Sequence, residues 1–224
     1  ALERNFPQKE VLKICRFIHF EGPDSLESTL SRTPLPKNFD FLSIDVDGVD
    51  YHIFESMSLF TPKVICIEFN PTIPNSIDFV QARDFALKQG SSARAIVRLA
   101  KEKSYSLVAS TKCNLFFVPD HLRRFVVDEE QTIEDLNPSG NDGTYLFVGY
   151  DGTVLSNKES LEIAWHGLTI SVAELQVLPR PLRTFPGDYG KLRNAGFKVF
   201  KLWRLASNPK QILLKTLRKV GLFR

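Results

Sequence analysis

The sequence predicts an α/β fold whose sheet is mostly parallel, and two observations support this class. From residue 11 to about residue 120, short runs rich in β-branched and aromatic residues alternate with stretches of helical spacing. The last two runs are joined by a short polar stretch, which predicts an antiparallel hairpin at one edge of the sheet. The five candidate strands are residues 11–20, 39–46, 64–69, 105–110 and 114–118.

Local signals also predict where the helices begin. Asp24 and Glu27 have the spacing of a capping box, which indicates a short helix directly after the first run. Asp50 can cap a second helix, which ends before Pro62. A pair of serines precedes a third helix over residues 93–103.

The chain changes character after residue 122. Residues 123–145 are acidic and rich in turn residues, which indicates a surface connection. The dipeptide Asp151-Gly152 between two apolar runs predicts a β-hairpin. We therefore predict an incomplete α/β domain over residues 1–122, a small β-containing extension over residues 123–188 and a basic amphipathic tail over residues 189–224.

The composition is that of a folded protein without a membrane-spanning helix. Hydrophobic residues make up 43% of the 224 residues and charged residues 25%, close to the globular average. No apolar run reaches the length of about 18 residues that a spanning helix needs. Three cysteines without a C-x-x-C pair, together with the lack of a secretory signal at the N-terminus, predict a cytoplasmic location.

The formal charge of +3 is distributed unevenly along the chain. No acidic residue follows Asp188, whereas ten lysines and arginines do, so the preceding body carries 19 basic and 26 acidic residues. The positive charge therefore belongs to a tail on an acidic body. This distribution does not indicate a nucleic-acid-binding fold, and we expect no nucleic-acid partner.

Polar side chains follow two neighbouring candidate strands. Asp45 and Asp47 come at the end of the run over residues 39–46, and Glu68 and Asn70 come at the end of the next run. Because ligands of open α/β sheets bind outside the carboxyl ends of the strands, these side chains are expected to face one crevice. Gly48 would allow a tight turn that brings the backbone close to a ligand.

Such side chains suit more than one chemistry. Oxygen ligands bind hard cations such as Mg²⁺ or Ca²⁺, and the candidate ligands are Asp45, Glu68 and Asn70. Alternatively, the carboxylates hold a hydroxylated substrate or act as a general base. A simpler interpretation is that Asp47 and Asp50 form the turn and the helix cap, and that Asp45 alone is functional.

Two segments carry a resemblance to a known family. Asp-Phe-Leu-Ser-Ile-Asp-Val-Asp-Gly-Val-Asp-Tyr (residues 40–51) and Val-Ile-Cys-Ile-Glu-Phe-Asn-Pro-Thr-Ile-Pro (residues 64–74) resemble the second half of FkbM-type S-adenosylmethionine-dependent methyltransferases and of a related group of proteins. The likeness continues at residues 89–92, 114–117, 165–167 and 176–180.

The resemblance implies an incomplete Rossmann-like methyltransferase sheet, in which the first segment ends the fourth strand and the second segment is the fifth strand. The implied activity is transfer of a methyl group from S-adenosylmethionine to an oxygen of a small molecule or sugar. Asp45, Asp47 and Glu68 would lie near the reacting centre, and Asp45 and Gly48 would lie beside the cofactor.

The sequence also departs from this family. It contains no G-x-G turn for the cofactor, and it opens where the family enters its third strand, so a βαβ unit of about 30 residues is missing from the front. We expect that the natural protein continues before Ala1 and that these residues alone do not bind S-adenosylmethionine measurably. The alternative is a non-catalytic binding or scaffolding module that has lost the cofactor half.

Other enzyme classes share parts of the pattern. Cation-dependent O-methyltransferases hold a metal at positions that Asp45, Glu68 and Asn70 approximate. In a haloacid-dehalogenase-type phosphatase, Asp45 would be the nucleophile and Asp47 the general acid/base beside Mg²⁺, with Asp142 as the later acidic residue. A D-x-D glycosyltransferase metal site is a further alternative.

Two features outside the acidic segment are candidates for function. His166 lies between Trp165 and Gly167 and could act as a base toward a substrate hydroxyl, whereas the simpler interpretation is a packed turn histidine. Apolar and basic residues alternate over residues 211–223, which suits an anionic membrane surface or an acidic partner. Packing on the acidic body, or on a second copy, is the alternative for this segment.

Overall fold

The computed structural model describes residues 2–138 and 143–207, and the chain divides into the units Ala1–Gly143 and Thr144–Arg224. The sequence-based boundary of the α/β domain was residue 122. The first unit extends further because residues 133–136 form a helix, in which Ile133 is buried in the core. Asn75 holds this segment in place by donating a hydrogen bond to the carbonyl oxygen of Asn137, at 2.8 Å.

The first unit is built on an open four-stranded sheet of order β1-β2-β4-β3. β1 and β2 are parallel, and β4 is antiparallel to both of its neighbours, so β1, β2 and β3 run in one direction and β4 in the other. The predicted α/β class is confirmed, and so is the antiparallel hairpin at one edge. The strands are β1 (Phe41–Ile44), β2 (Val64–Glu68), β3 (Tyr105–Ser110) and β4 (Asn114–Pro119).

Short helices and one longer helix accompany this sheet. Ser92 caps the longer helix by accepting a hydrogen bond from the backbone N–H of Ala95, as the serine pair predicted. The helix over Leu26–Leu30 is capped by Ser25, not by Asp24. The Ser25 hydroxyl accepts a hydrogen bond from the backbone N–H of Ser28. The helices are α1 (Leu2–Asn5), α2 (Leu26–Leu30), α3 (Asp50–Ser56), α4 (Ala93–Glu102) and α5 (Ile133–Leu136).

The core lies where β2 and β4 meet α3 and α4. β2 is an inner strand of the sheet, and both Ile65 and Ile67 are fully buried. Phe117 of β4 is also fully buried and stacks on Phe54 of α3, with the ring centroids 6.5 Å apart. This packing holds β1 and β2 in place beneath the acidic residues that follow them.

The first candidate strand, residues 11–20, is not a strand. The structure gives this segment only an isolated bridge between His19 and Ser25. Its apolar residues Leu12 and Phe17 are 63% and 58% exposed. A strand needs a neighbouring strand to satisfy its backbone groups, and none of the described strands pairs with this segment.

The described residues of the second unit form two separate two-stranded ribbons and a helix over Lys191–Ala206. The amphipathic segment predicted over residues 211–223 lies outside the described residues. The predicted hairpin at Asp151-Gly152 is confirmed, because it joins the two strands of the first ribbon. No helix among the described residues is both long and apolar enough to cross a membrane. The elements are β5 (Leu146–Val148), β6 (Val154–Ser156), β7 (Ser160–Ile163), β8 (Leu168–Ser171) and α6 (Lys191–Ala206).

The packing predicts a large difference between two phenylalanine positions of the sheet. Phe117→Ala should lower the free energy of unfolding by about 3–5 kcal/mol, because it leaves a cavity in a closed core. Phe41→Ala in β1 should cost less than about 1.5 kcal/mol, since this side chain is 53% exposed. Urea unfolding of both variants measures the difference, and equal costs would contradict the burial of Phe117 and the exposure of Phe41 described here.

Candidate functional site

Three of the predicted residues meet at the carboxyl ends of β1 and β2. The parallel register places Ile44 beside Ile67, so the next residue of each strand brings Asp45 next to Glu68. Carboxylate oxygens of Asp45, Asp47 and Glu68 all lie within 4.8 Å of one another. We call these three residues the carboxylate cluster.

A tight turn brings Asp47 back toward Asp45. Asp47 and Gly48 both have positive φ angles, of 53° and 126°. The Asp50 carboxylate stabilises the turn by accepting hydrogen bonds from the backbone N–H groups of Val46 and Gly48, each at 2.9 Å. Asp50 is thus the first residue of α3 and binds the turn behind it, instead of capping the helix ahead of it.

The carboxylate cluster has no basic partner among the described residues, since none of their ion pairs includes Asp45, Asp47 or Glu68. Asp45 and Asp47 are exposed and Glu68 is half-buried. Partial burial, followed by the charges of Asp45, Asp50 and Asp47, raises the pKa of Glu68 to about 7. A hydrogen bond with Asp45 raises the pKa of Glu68 further, so Glu68 keeps its proton up to near neutral pH.

Asp50 lies deeper than the cluster and is only 3% exposed. Burial raises the pKa of Asp50, and the hydrogen bonds from the Val46 and Gly48 backbone oppose that rise. Its two carboxylate oxygens are already used by the turn. Asp50 therefore holds the turn in shape and is not a free ligand.

Gly48 is buried beneath a loop of its own chain. A Cβ atom at this position would lie 3.0 Å from Oε1 of Gln81 and 3.3 Å from Cα of Lys88. The tight turn expected at Gly48 is present, but the loop over residues 81–90 takes the space in which a cofactor was expected to approach the backbone.

Gln81 organises this loop, although it is not among the site residues that the sequence predicts. Its side-chain oxygen accepts hydrogen bonds from the backbone N–H groups of Gln89 and Gly90, at 2.9 and 2.8 Å. Its backbone carbonyl accepts from Nε2 of His52, at 2.9 Å. Gln81 is 1% exposed, but no local pattern marks it, because its partner in α3 lies 29 positions earlier in the chain.

Asn70 lies close in sequence to the cluster, but its side chain forms hydrogen bonds with Thr72 and Gln89 instead. Its side-chain oxygen accepts from the backbone N–H and the hydroxyl of Thr72, and its amide donates to the carbonyl oxygen of Gln89. These bonds use both ends of the Asn70 amide. The structure therefore commits Asn70 to the loop, in place of the metal-ligand role predicted for it.

His166 belongs to the second unit. It ends a short 3-10 helix over Ala164–His166, and Gly167 follows with a φ angle of 60°. The imidazole is exposed. The group of candidate ligand atoms that the described residues bring together is formed by Asp45, Asp47 and Glu68, without His166.

A cleft of about 590 Å³ beside α4 is also rich in charge, but its charges are paired. Arg98 forms ion pairs with Asp78 and Glu102, and Lys101 forms one with Glu130. Such a network stabilises the surface without leaving a free charge for a ligand. The carboxylate cluster differs because its charges are all of one sign.

The chain matches no protein-family model, no curated protein and no solved structure. Its function is therefore inferred from the geometry of the cluster and from the resemblance in its sequence. The arrangement offers carboxylate oxygen atoms at the carboxyl ends of two strands of an open sheet. Such oxygen atoms are the ligands that a hard divalent cation takes.

The raised pKa of Glu68 predicts that stability falls as pH rises. The folded protein holds the Glu68 proton up to about pH 7, whereas the unfolded chain releases it near its ordinary pKa of 4.5. The stability that the Glu68 proton gives the folded protein is therefore complete below pH 4.5 and is lost as pH rises toward 7. With a chelator present, the melting temperature should decrease between about pH 5 and about pH 7.5.

Glu68→Gln should make this pH dependence clearly weaker, because the amide does not ionise. Glu162→Gln, an exposed position in β7, is the matched control and should keep the pH dependence of the unchanged protein. Identical profiles for the Glu68 and Glu162 variants would show that the cluster does not store this proton.

Proposed function

We propose that the first unit carries the acceptor side of an S-adenosylmethionine-dependent O-methyltransferase site, in a Rossmann-like sheet. Asp45, Asp47 and Glu68 would hold a divalent cation beside the acceptor hydroxyl of a small molecule or sugar. The observation that carries the proposal is the convergence of three carboxylates without a basic partner among the described residues. They stand at the carboxyl ends of adjacent parallel strands, where open α/β sheets bind ligands.

The order of the strands supports the same proposal. The resemblance implies a fourth and a fifth strand side by side, followed by an antiparallel hairpin at the edge of the sheet. β1 and β2 are parallel neighbours, and the hairpin of β3 and β4 follows at the β2 side. The segments that carry the resemblance are thus the segments that form the carboxylate cluster.

The residues present fit the cation better than they fit the cofactor. Carboxylate oxygens are the ligands that Mg²⁺ and Ca²⁺ take in proteins. For S-adenosylmethionine, the sequence contains no G-x-G turn, and Gly48 is covered by the loop over residues 81–90. The described residues therefore provide no cradle for the cofactor, and its chemistry is not assigned to any of them.

The role of the cluster is to bind and orient the acceptor. A bound divalent cation would supply positive charge that lowers the pKa of a hydroxyl placed beside it. Asp45 and Asp47 are exposed, so a substrate can reach them from solvent. Glu68 is half-buried and completes the set of three oxygen ligands.

Cation binding is the first test of this proposal. Isothermal titration with Mn²⁺ or Ca²⁺ should show one ion per chain, with a dissociation constant of about 0.1–1 mM for a site of three carboxylates open to solvent. Asp45→Asn and Asp47→Asn should each weaken binding by at least about tenfold. Asn tolerates the positive φ angle of Asp47, so that variant keeps the turn.

Glu162→Gln serves again as the control with one carboxylate replaced outside the cluster. It should bind the cation as the unchanged protein does. Absence of binding by the unchanged protein, or equal losses in the control and the cluster variants, would remove the cation from the proposal.

Methyl transfer is the second test, on the protein in the form in which cells make it. Transfer from radiolabelled S-adenosylmethionine to a set of sugars and small hydroxyl compounds should require a divalent cation. Asp45→Asn should lower the rate by at least about a hundredfold, the scale on which one positioned charged group acts in catalysis. Glu162→Gln should retain the full rate.

The spacing of Asp45 and Asp47 within the carboxylate cluster favours one second candidate, a haloacid-dehalogenase-type phosphatase. The later aspartate expected for that class, Asp142, lies outside the described residues. Phosphate release from an aryl phosphate, abolished by Asp45→Asn, would replace the methyltransferase proposal with this one. Cation binding without either activity would favour the non-catalytic binding module.

A further inference from the structure

The C-terminal helix α6 exposes an apolar stripe on a strongly basic element. The helix runs from Lys191 to Ala206, and four of its large apolar side chains are between 59% and 89% exposed. With about 3.6 residues per turn, their spacing places them along one side of the helix. These residues, which we call the α6 stripe, are Leu192, Val199, Leu202 and Trp203.

The opposite side of α6 holds the helix to its unit. Phe197 is half-buried, and its ring contacts Tyr189 edge-on, with the centroids 5.6 Å apart. Phe200 is also half-buried, but its ring contacts Trp203 of the α6 stripe, with the centroids 5.9 Å apart. The Tyr189 hydroxyl in turn donates a hydrogen bond to the carbonyl oxygen of Leu182, at 2.6 Å. The attachment of α6 through Phe197 leaves the α6 stripe on the other side of the helix.

The charges of α6 are all positive. The helix contains five basic residues and no acidic residue. On the helical wheel, Arg193 and Arg204 border one side of the α6 stripe, and Lys191 and Lys198 border the other side. An apolar stripe that contains a tryptophan and has basic residues along both borders is typical of helices that lie in the interface of an anionic membrane.

We propose that α6 binds the surface of an anionic lipid bilayer, with the α6 stripe among the acyl chains and the basic residues at the lipid head groups. The helix lies on the membrane and does not cross it, in agreement with the absence of a spanning helix among the described residues. This inference does not depend on the proposed enzymatic function, because the carboxylate cluster lies in the other unit.

Charge complementarity favours a lipid surface over a second α6 helix and over nucleic acid. A second copy of α6 would bring five further positive charges against the first five, so pairing of two such helices is opposed by repulsion. Nucleic acid would match the charges but would leave the α6 stripe in water. An anionic bilayer satisfies both the charge and the apolar surface.

The test uses the full chain with Trp203 as a reporter. The sequence has two tryptophans, so Trp165→Phe leaves Trp203 as the sole tryptophan. On adding vesicles of phosphatidylcholine with phosphatidylserine at low salt, its fluorescence should shift to shorter wavelength, and the protein should sediment with the vesicles. Vesicles of phosphatidylcholine alone should give neither effect, and high salt should reverse both.

Two sets of changes locate the contact on α6. Leu202→Asp places a charge in the stripe, and the pair Lys191→Glu and Lys198→Glu reverses two charges along its border. Because each basic residue near an anionic surface strengthens binding by roughly fivefold, the pair should weaken vesicle binding by at least about twentyfold. The pair Lys37→Glu and Lys112→Glu, exposed residues of the first unit, changes the net charge equally and should leave vesicle binding unchanged.

All these positions are exposed, and circular dichroism checks that each variant keeps its helix content. Absence of a spectral shift with phosphatidylserine vesicles at low salt would overturn the proposal. Equal binding to both kinds of vesicle would also overturn it. A shift that follows protein concentration without lipid, together with dimers in sedimentation equilibrium, would assign the α6 stripe to a second copy instead.

Discussion

The parallel pairing of β1 with β2 is the constraint on which the candidate site depends. Hydrogen bonding in this register makes the two strands end side by side, so Asp45 and Glu68 become neighbours although many residues separate them in the chain. The pairing is held by apolar burial, since Ile44, Ile65 and Ile67 are almost completely removed from water. The free energy gained there offsets the repulsion between carboxylates that the same geometry creates.

The site combines a rigid support with exposed ligands. Asp50 and Gln81 are buried and use their polar atoms on the backbone of the turn and of the adjacent loop. Asp45 and Asp47 are the members of the cluster that face solvent. Neither forms an ion pair with a basic residue in the described part of the chain. Because buried residues hold the backbone in place and exposed residues supply the ligands, a group of like charges persists at the carboxyl ends of two stable strands. These charges are available to a cation.

The two units present different kinds of surface. The first unit offers acidic oxygen atoms at the edge of a sheet, whereas α6 of the second unit offers apolar and basic side chains along a helix. A hard cation fits the first surface and an anionic bilayer fits the second.

Local signals in the sequence were sufficient for several elements. The Ser92 cap, the hairpin turn at Asp151-Gly152 and the bounds of β3 each depend on residues next to one another in the chain, and all were predicted. Strand propensity alone failed for residues 11–20, because a strand also requires a partner that the sequence does not reveal. The same limit applied to Asn70, whose side-chain partners are set by how the loop over residues 81–90 folds back.

The sequence by itself determined the α/β class and the presence of carboxylates after two adjacent strands, since periodicity and residue type are properties of the chain. Only the tertiary structure decided that Asp45, Asp47 and Glu68 share one site, that Gly48 is covered and that the α6 stripe is exposed. The physical reason is that these features depend on contacts between distant residues, and packing of the whole core selects which of them meet.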